Sequence, residues 1–171
     1  PYDAPGPINV YGESKFAGEQ LALKENRETL IIRTSWVYSQ FGKNFVKTMM
    51  RLMSEKKEIN VVNDQVGRPT YAADLASVIF SIIFSAEDFI PGVFHYANEG
   101  VISWFDFAKA ICDIGGYGCV VKPIPSAAYP TPAKRPSYSI LKTEKIETVY
   151  SISIPNWRVS LETCMQHLAA S

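Results

Sequence analysis

A short run at residues 29–35, rich in aliphatic and β-branched side chains, lies between two stretches with helical periodicity. The run predicts a strand buried on both faces, and its flanks predict helices over residues 9–26 and 44–56. We expect the first helix to turn an alanine- and leucine-bearing face inward, and the second to bury a stripe of phenylalanine, leucine and methionine. Helices alternating with strands favour an α/β fold built on a parallel sheet.

The same alternation continues along the rest of the chain. Prolines without hydrophobic periodicity predict a loop at residues 125–136. Ser103 followed by Asp106 is typical of a helix N-terminus. Helices are further predicted at residues 72–86, 103–114, 141–149 and 159–169, and strands at residues 59–62, 93–97 and 120–124.

Tyr11 and Lys15 lie four residues apart in the first predicted helix, so their side chains share one face. An ammonium near a phenol favours the ionised phenolate, because opposite charge stabilises it. Such a phenol can exchange a proton with a substrate oxygen near neutral pH. An enzyme that moves hydride onto a ketone needs this proton for the developing alkoxide. Taken alone, the spacing also fits an amphipathic helix with a surface lysine.

The residues around this pair narrow the interpretation. Gly12 and Gly18 stand inside a helical pattern, where each costs about 1 kcal/mol relative to alanine and indicates a close approach of backbone or ligand. The segment from Asn9 to Glu19 resembles the catalytic helix of the extended short-chain dehydrogenases/reductases. This resemblance implies that Tyr11 is the catalytic acid/base and that a lysine four residues later assists it.

Two later blocks are more specific. Residues 33–38 contain Ser-Trp-Val-Tyr, and residues 64–70 read Asp-Gln-x-Gly-x-Pro-Thr. In order and spacing they resemble the dTDP-4-dehydrorhamnose reductase family, as far as about Leu141. That family implies reduction of the 4-keto group of dTDP-4-dehydro-L-rhamnose to dTDP-L-rhamnose, with NADPH or NADH as cofactor. Further blocks of the resemblance are residues 42–46, 74–76, 92–98, 103–108 and 135–141.

The resemblance also assigns site residues. It implies that Tyr11, Lys15 and Ser35 contact the cofactor, and that Lys15 hydrogen-bonds the nicotinamide ribose. It packs the Trp36 indole on the dTDP-4-keto-6-deoxy sugar nucleotide.

Two polar residues are predicted to contact the substrate diphosphate. Asn44 stands at a predicted helix start, where an anion is favoured, although an ordinary N-cap asparagine would look the same. Arg135, in the proline-rich loop, can pair with a diphosphate bidentately. Arg68 is predicted to be a surface arginine.

The resemblance implies the C-terminal portion of a Rossmann-like doubly wound parallel sheet plus a small mixed α/β substrate-binding lobe. We predict that residues 1–62 belong to the NAD(P)-binding domain with the catalytic helix. Residues 63–171 are predicted to form mainly the substrate-binding lobe and to return one strand and one helix to the sheet. No glycine-rich dinucleotide turn occurs in the sequence. We therefore expect a piece of a longer enzyme, with incomplete cofactor binding and no turnover alone.

Charge and cysteine content limit the kinds of partner and binding site that we expect for this chain. Seventeen Lys+Arg balance 17 Asp+Glu, which leaves no basic footprint for nucleic acid. The apolar run at residues 78–84 is too short for a membrane span. The three cysteines form no Cys-x-x-Cys pair, and His95 and His167 are scattered, so we predict no disulfide and no metal site. A cytoplasmic enzyme with inert thiols and a packed His95 is expected.

Three points stay open in the sequence. A homodimer is conceivable, since some family members are magnesium-linked dimers, yet no magnesium ligand set is visible here. Another NAD-dependent sugar-nucleotide epimerase or dehydratase shares the Tyr–Lys pair. A non-catalytic regulatory subunit of the methionine adenosyltransferase type, with that enzyme as partner, keeps the fold and part of the motif set.

Overall fold

The computed structural model describes residues 4–84, 89–131 and 135–170. Within these ranges, the helices are α1 (Val10–Glu25), α2 (Phe45–Glu55), α3 (Ala72–Phe84), α4 (Trp104–Gly115), α5 (Glu144–Tyr150) and α6 (Trp157–Ala169). The strands are β1 (Leu30–Arg33), β2 (Val37–Tyr38), β3 (Glu58–Val62), β4 (Val66–Gly67), β5 (Thr70–Tyr71), β6 (Gly92–His95), β7 (Ile102–Ser103), β8 (Val120–Ile124) and β9 (Tyr138–Ser139). The end of the helix predicted at 72–86 lies partly outside the described residues.

The parallel pair β1–β6 forms the predicted sheet. Its register runs from Leu30 opposite Gly92 to Arg33 opposite His95. A crossover of the length between β1 and β6 is what parallel neighbours require, and α3 lies within it. The predicted α/β class with parallel strands is therefore confirmed, and β6 is a later strand that pairs with β1.

Two burial predictions for this region were wrong. Every residue of β1 is only partly buried, because β6 is its one partner strand in the described part of the chain. No residue of α1 is buried, and Leu21 is 59% exposed. The apolar side chains of α1 are spread around the helix, so it has no stripe to turn inward.

Short strands build the rest of the molecule. β3 pairs with β8 in parallel, β2 with β5 in parallel, and β4 lies between antiparallel β7 and parallel β9. The two-residue strands were missed from the sequence because two residues show no periodicity. The predicted loop also contains a 3₁₀ turn at Ser126–Ala128, and its residues 132–134 lie outside the described residues.

Two hydrophobic cores result. The larger joins α2, α4 and α6 around β3, and it buries Met49 and Met53 of the predicted α2 stripe. The smaller joins α3, α5 and β6 around Phe94. Between them lies Asn98, which is fully buried.

Candidate active site

Tyr11 and Lys15 lie in the first two turns of α1, and both side chains are exposed to solvent. Asn9 caps the helix by accepting a hydrogen bond from the Gly12 N–H at 2.9 Å. Tyr11 is 71% exposed, and the Lys15 ammonium lies 5.7 Å from the centre of its ring. The two side chains share one face, as their spacing predicts, and both can be reached by a ligand.

An ion pair ties this helix to the end of β1. The Arg33 guanidinium donates to the Glu19 carboxylate at 2.6 and 2.9 Å, and both side chains are largely shielded from water. Hydrogen bonding to Glu19 raises the pKa of Arg33, so the cation is firmly held. This contact was not predictable from the sequence, since a partner 14 residues away leaves no local pattern.

His95 lies beside Arg33 across the parallel pair. Burial is the main cause that lowers the pKa of His95 to about 4, and the positive charge of Arg33 acts in the same direction. The imidazole is therefore neutral at neutral pH. This environment supports the prediction of a packed histidine.

The two specific sequence blocks contact each other after β1 ends. The Thr34 hydroxyl donates to the Thr70 hydroxyl at 2.9 Å, and the Ser35 hydroxyl donates to the Arg68 carbonyl at 2.8 Å. Tyr38 and Tyr71 stack with ring centres 5.5 Å apart. The hydroxyl of Ser35 is thus engaged within the protein, and its predicted cofactor contact stays a prediction.

Trp36 lies at this junction in an unusual conformation. Its φ of 48° places it in the left-handed region, and its side chain is partly buried. The Trp104 ring stacks on it, with centres 3.6 Å apart and planes 13° from parallel. A Cβ at Gly67 would lie 2.7 Å from the indole. Trp104 itself is partly buried and packs against the larger core.

Arg68 is more than a surface arginine. It is partly buried, and its guanidinium donates to the carbonyls of Asn98 and Leu141 at 3.0 and 3.1 Å. It also donates to the Thr143 hydroxyl at 3.2 Å. The prediction failed because the carbonyls that hold Arg68 are distant in sequence.

The two predicted diphosphate contacts differ in their surroundings. Asn44 caps α2, since its side-chain oxygen accepts from the Lys47 N–H at 3.2 Å and its amide donates to the Ser39 carbonyl at 2.7 Å. Arg135 is exposed and lies three residues before Tyr138, the first residue of β9. Neither observation tests substrate binding, so both assignments stay predictions.

Two cavities lie elsewhere. One of about 310 Å³ lies between α3 and the turn after α5, with Asp74 and Tyr96 in its wall. The other, of about 620 Å³, lies between α2, α4 and α6 beside Met50 and Glu162. Neither wall includes any of the predicted catalytic, cofactor or substrate residues.

The described residues contain no cluster of acidic, histidine and cysteine side chains able to hold a metal ion. Among the described helices, none has the length and apolar character to cross a membrane. The cysteines are free and buried, and burial raises the pKa of the Cys164 thiol to about 11, which keeps it protonated.

Comparison with known proteins agrees with the sequence blocks. A dTDP-4-dehydrorhamnose reductase of Sinorhizobium fredii (strain NBRC 101917 / NGR234) is 43% identical over 166 residues, which are 92% of this chain and 56% of that protein. The crystal structure of the Bacillus anthracis str. Ames reductase in complex with NADP matches 97% of this chain and 58% of that one, with 40% identity and a TM-score of 0.90. The structure of a Clostridium acetobutylicum ATCC 824 reductase matches 98% and 59%, with 37% identity and a TM-score of 0.93.

The chain thus spans somewhat more than half the length of these relatives. A family model described as the RmlD substrate binding domain matches residues 1–170. This match covers both specific blocks, the Tyr–Lys helix and the α6 end of the chain. The chain belongs to the RmlD substrate binding domain family.

Proposed function

We propose that the protein containing this chain reduces the 4-keto group of dTDP-4-dehydro-L-rhamnose to dTDP-L-rhamnose with NADPH or NADH. The observation that carries the proposal is the pair of Tyr11 and Lys15 on one open face of α1. Relatives at 37–43% identity that carry the reductase name support the same reaction.

The dinucleotide fits the donors available on α1. An exposed ammonium and an exposed phenol on one helix face can hydrogen-bond the hydroxyls of a ribose. We assign Lys15 and Tyr11 to the nicotinamide ribose and keep Ser35 as a further cofactor contact. When bound, the reduced nicotinamide supplies hydride to the ketone carbon.

The chain's own contribution is the proton. As the ketone oxygen gains negative charge, the Tyr11 hydroxyl donates its proton to that oxygen, and Lys15 stabilises the phenolate left behind. The ion pair of Glu19 with Arg33 holds α1 against β1 during this transfer. Positioned proton donors of this kind contribute about 10²–10⁴ in rate.

Substrate recognition belongs to the segments after β1. Trp36 is proposed to pack on the sugar nucleotide, and Asn44 and Arg135 to contact its diphosphate. The division into residues 1–62 for the cofactor domain and 63–171 for the substrate lobe is proposed with it. The cytoplasmic location, the homodimer and the inactivity of these residues alone remain predictions.

The test is a Tyr11→Phe substitution in the full-length protein that contains this sequence. NADPH consumption with dTDP-4-dehydro-L-rhamnose should fall at least about 100-fold in kcat, because the phenylalanine ring has no proton to donate. The KM for the sugar nucleotide should stay within about threefold.

Tyr117→Phe is the matched control, since Tyr117 lines the cavity between α2, α4 and α6 and should leave kcat unchanged. Full activity of Tyr11→Phe would remove Tyr11 as the acid. A wild-type protein that consumes neither NADPH nor NADH with this substrate would overturn the reductase proposal and favour an epimerase, a dehydratase or a regulatory subunit.

A further inference from the structure

Trp36 holds a backbone conformation that tryptophan rarely adopts. Its φ of 48° lies in the left-handed region, where a bulky side chain is an outlier. Such conformations persist only where surrounding contacts fix them, and they concentrate at ligand sites. The residues that hold Trp36 therefore matter for whatever Trp36 contacts.

Trp104 makes one of these contacts, with its ring stacked on the Trp36 indole. The two indoles overlap almost in parallel, with centres 3.6 Å apart. Phe45 packs against Trp104 at 4.7 Å between ring centres. Trp104 is also the first residue of α4, whose start is fixed by a capping box of Ser103 and Asp106. The ring that packs on Trp36 therefore belongs to a helix whose N-terminus is fixed by its own hydrogen bonds.

Gly67 closes a second side of the Trp36 indole. A Cβ there would lie 2.7 Å from Cε2 and 2.8 Å from Cζ2 of the ring, so the β4 backbone lies directly against it. The Thr70 N–H donates to the Trp36 carbonyl at 3.2 Å and fixes the main chain. The orientation of the indole is therefore imposed by its neighbours.

We propose that Trp104 is a positioning residue that holds the Trp36 indole ready for the sugar nucleotide without itself touching the substrate. The inference rests on the proposed function, because it takes Trp36 as a substrate contact. A side chain already held in place loses no rotational freedom on binding, and its contact energy goes into affinity.

The kinetic experiment uses Trp104→Ala and Trp104→Phe in the full-length protein. In Trp104→Ala the KM for dTDP-4-dehydro-L-rhamnose should rise about three- to tenfold, because the stacked pair is lost, while kcat stays within about twofold. The KM for NADPH should not change. Trp104→Phe should recover most of the affinity, since a phenyl ring keeps an aromatic face for Trp36.

A spectroscopic readout follows the stack directly. Two indoles this close couple their electronic transitions, and where their in-plane transition dipoles are twisted relative to each other the coupling gives an exciton couplet in the far-ultraviolet circular dichroism spectrum. The couplet should vanish in Trp36→Phe and Trp104→Phe. Trp157→Phe is the matched control, because Trp157 packs on Gly100 and Phe107 and should keep both the couplet and the KM.

The outcomes separate the two proposals. A wild-type protein that consumes neither NADPH nor NADH with this substrate overturns the proposed function and, with it, this inference. An active wild type whose Trp104→Ala variant has an unchanged KM overturns the inference alone. If Trp104→Ala does not fold, Trp104→Leu decides, because leucine keeps an apolar side chain but has no ring to stack on Trp36: an unchanged KM for the sugar nucleotide in Trp104→Leu also overturns the inference.

Discussion

Gly67 is the residue whose missing side chain shapes the candidate site most directly. A methyl group there would meet the Trp36 ring at 2.7 Å and the Ser139 hydroxyl at 2.8 Å. The hydroxyl can rotate away, but the indole is backed by Trp104 and has little room. Gly67 is needed here because a side chain would have no space, and not because of the conformational freedom of glycine.

We expect Gly67→Ala to lower the free energy of unfolding by about 1–3 kcal/mol, because the added carbon overpacks the Trp36 stack. Urea unfolding of this chain measures the change. Gly118→Ala is the control, since a Cβ there meets nothing within 4 Å and should be neutral or slightly stabilising. Equal unfolding midpoints for the two variants would contradict the packing argument.

Helix α1 carries the proposed catalytic pair yet buries no residue. Its described ties to the rest of the molecule are polar: the Glu19–Arg33 ion pair and hydrogen bonds from the Thr29 hydroxyl to the carbonyls of Ala22 and Asn26. Helices gain most of their stability from packing an apolar face, which α1 lacks here. In this chain α1 depends on a few polar contacts.

Hydrogen exchange on this chain should therefore find the amides of α1 exchanging at least about tenfold faster than those of α4, whose inner face is buried. Glu19→Gln should accelerate α1 further by weakening the tie to Arg33. Glu55→Gln removes the exposed pair with Arg51 and should leave α1 unchanged. Protection of α1 equal to that of α4 would show that other contacts hold it.

The helices and longer strands were predictable because each spans enough residues to show a period. The cap of α4 followed from Ser103 and Asp106, and the stripe of α2 from its spacing. The surroundings of Trp36 were not predictable. Gly67 lies 31 residues further along the chain in the two-residue strand β4, and Trp104 lies 68 residues further along, directly after the two-residue strand β7. Strands this short leave no periodic pattern in the sequence.

Burial was misjudged for the same reason. A run such as residues 29–35 is typical of a central strand, but its actual exposure depends on which neighbours flank it. Arg68 was misjudged in the opposite direction, because it was expected to be exposed. Its guanidinium instead binds the carbonyls of Asn98 and Leu141 and is partly buried. Local pattern predicted element type; distant contacts decided the environment.

On the scale of the whole molecule, Asn98 joins the two cores. Its amide nitrogen donates to Asp74 of α3 at 2.7 Å and to Ser160 of α6 at 2.9 Å. Its amide oxygen accepts from the Tyr71 N–H at 2.7 Å. A buried side chain that satisfies three elements at once fixes how they are arranged.

Asn98→Ala should cost about 2–4 kcal/mol of unfolding free energy, because it leaves the Asp74 carboxylate and the Tyr71 N–H short of partners. Urea unfolding, monitored by circular dichroism, measures this change in the free energy of unfolding. Asn60→Ala, at an exposed position of β3, should change stability by less than about 0.5 kcal/mol. A similarly small effect at Asn98 would mean that the two cores hold together without it.

The contact between residues 34–38 and 67–71 bears on how related enzymes can be recombined. Hydroxyl pairing, ring stacking and the close approach at Gly67 connect the two segments almost residue by residue. A chimera that transplanted one segment without the other would set an indole from one parent against a strand from another. We therefore expect that the two stretches, which are separated by 28 residues along the chain, can be exchanged between relatives only together.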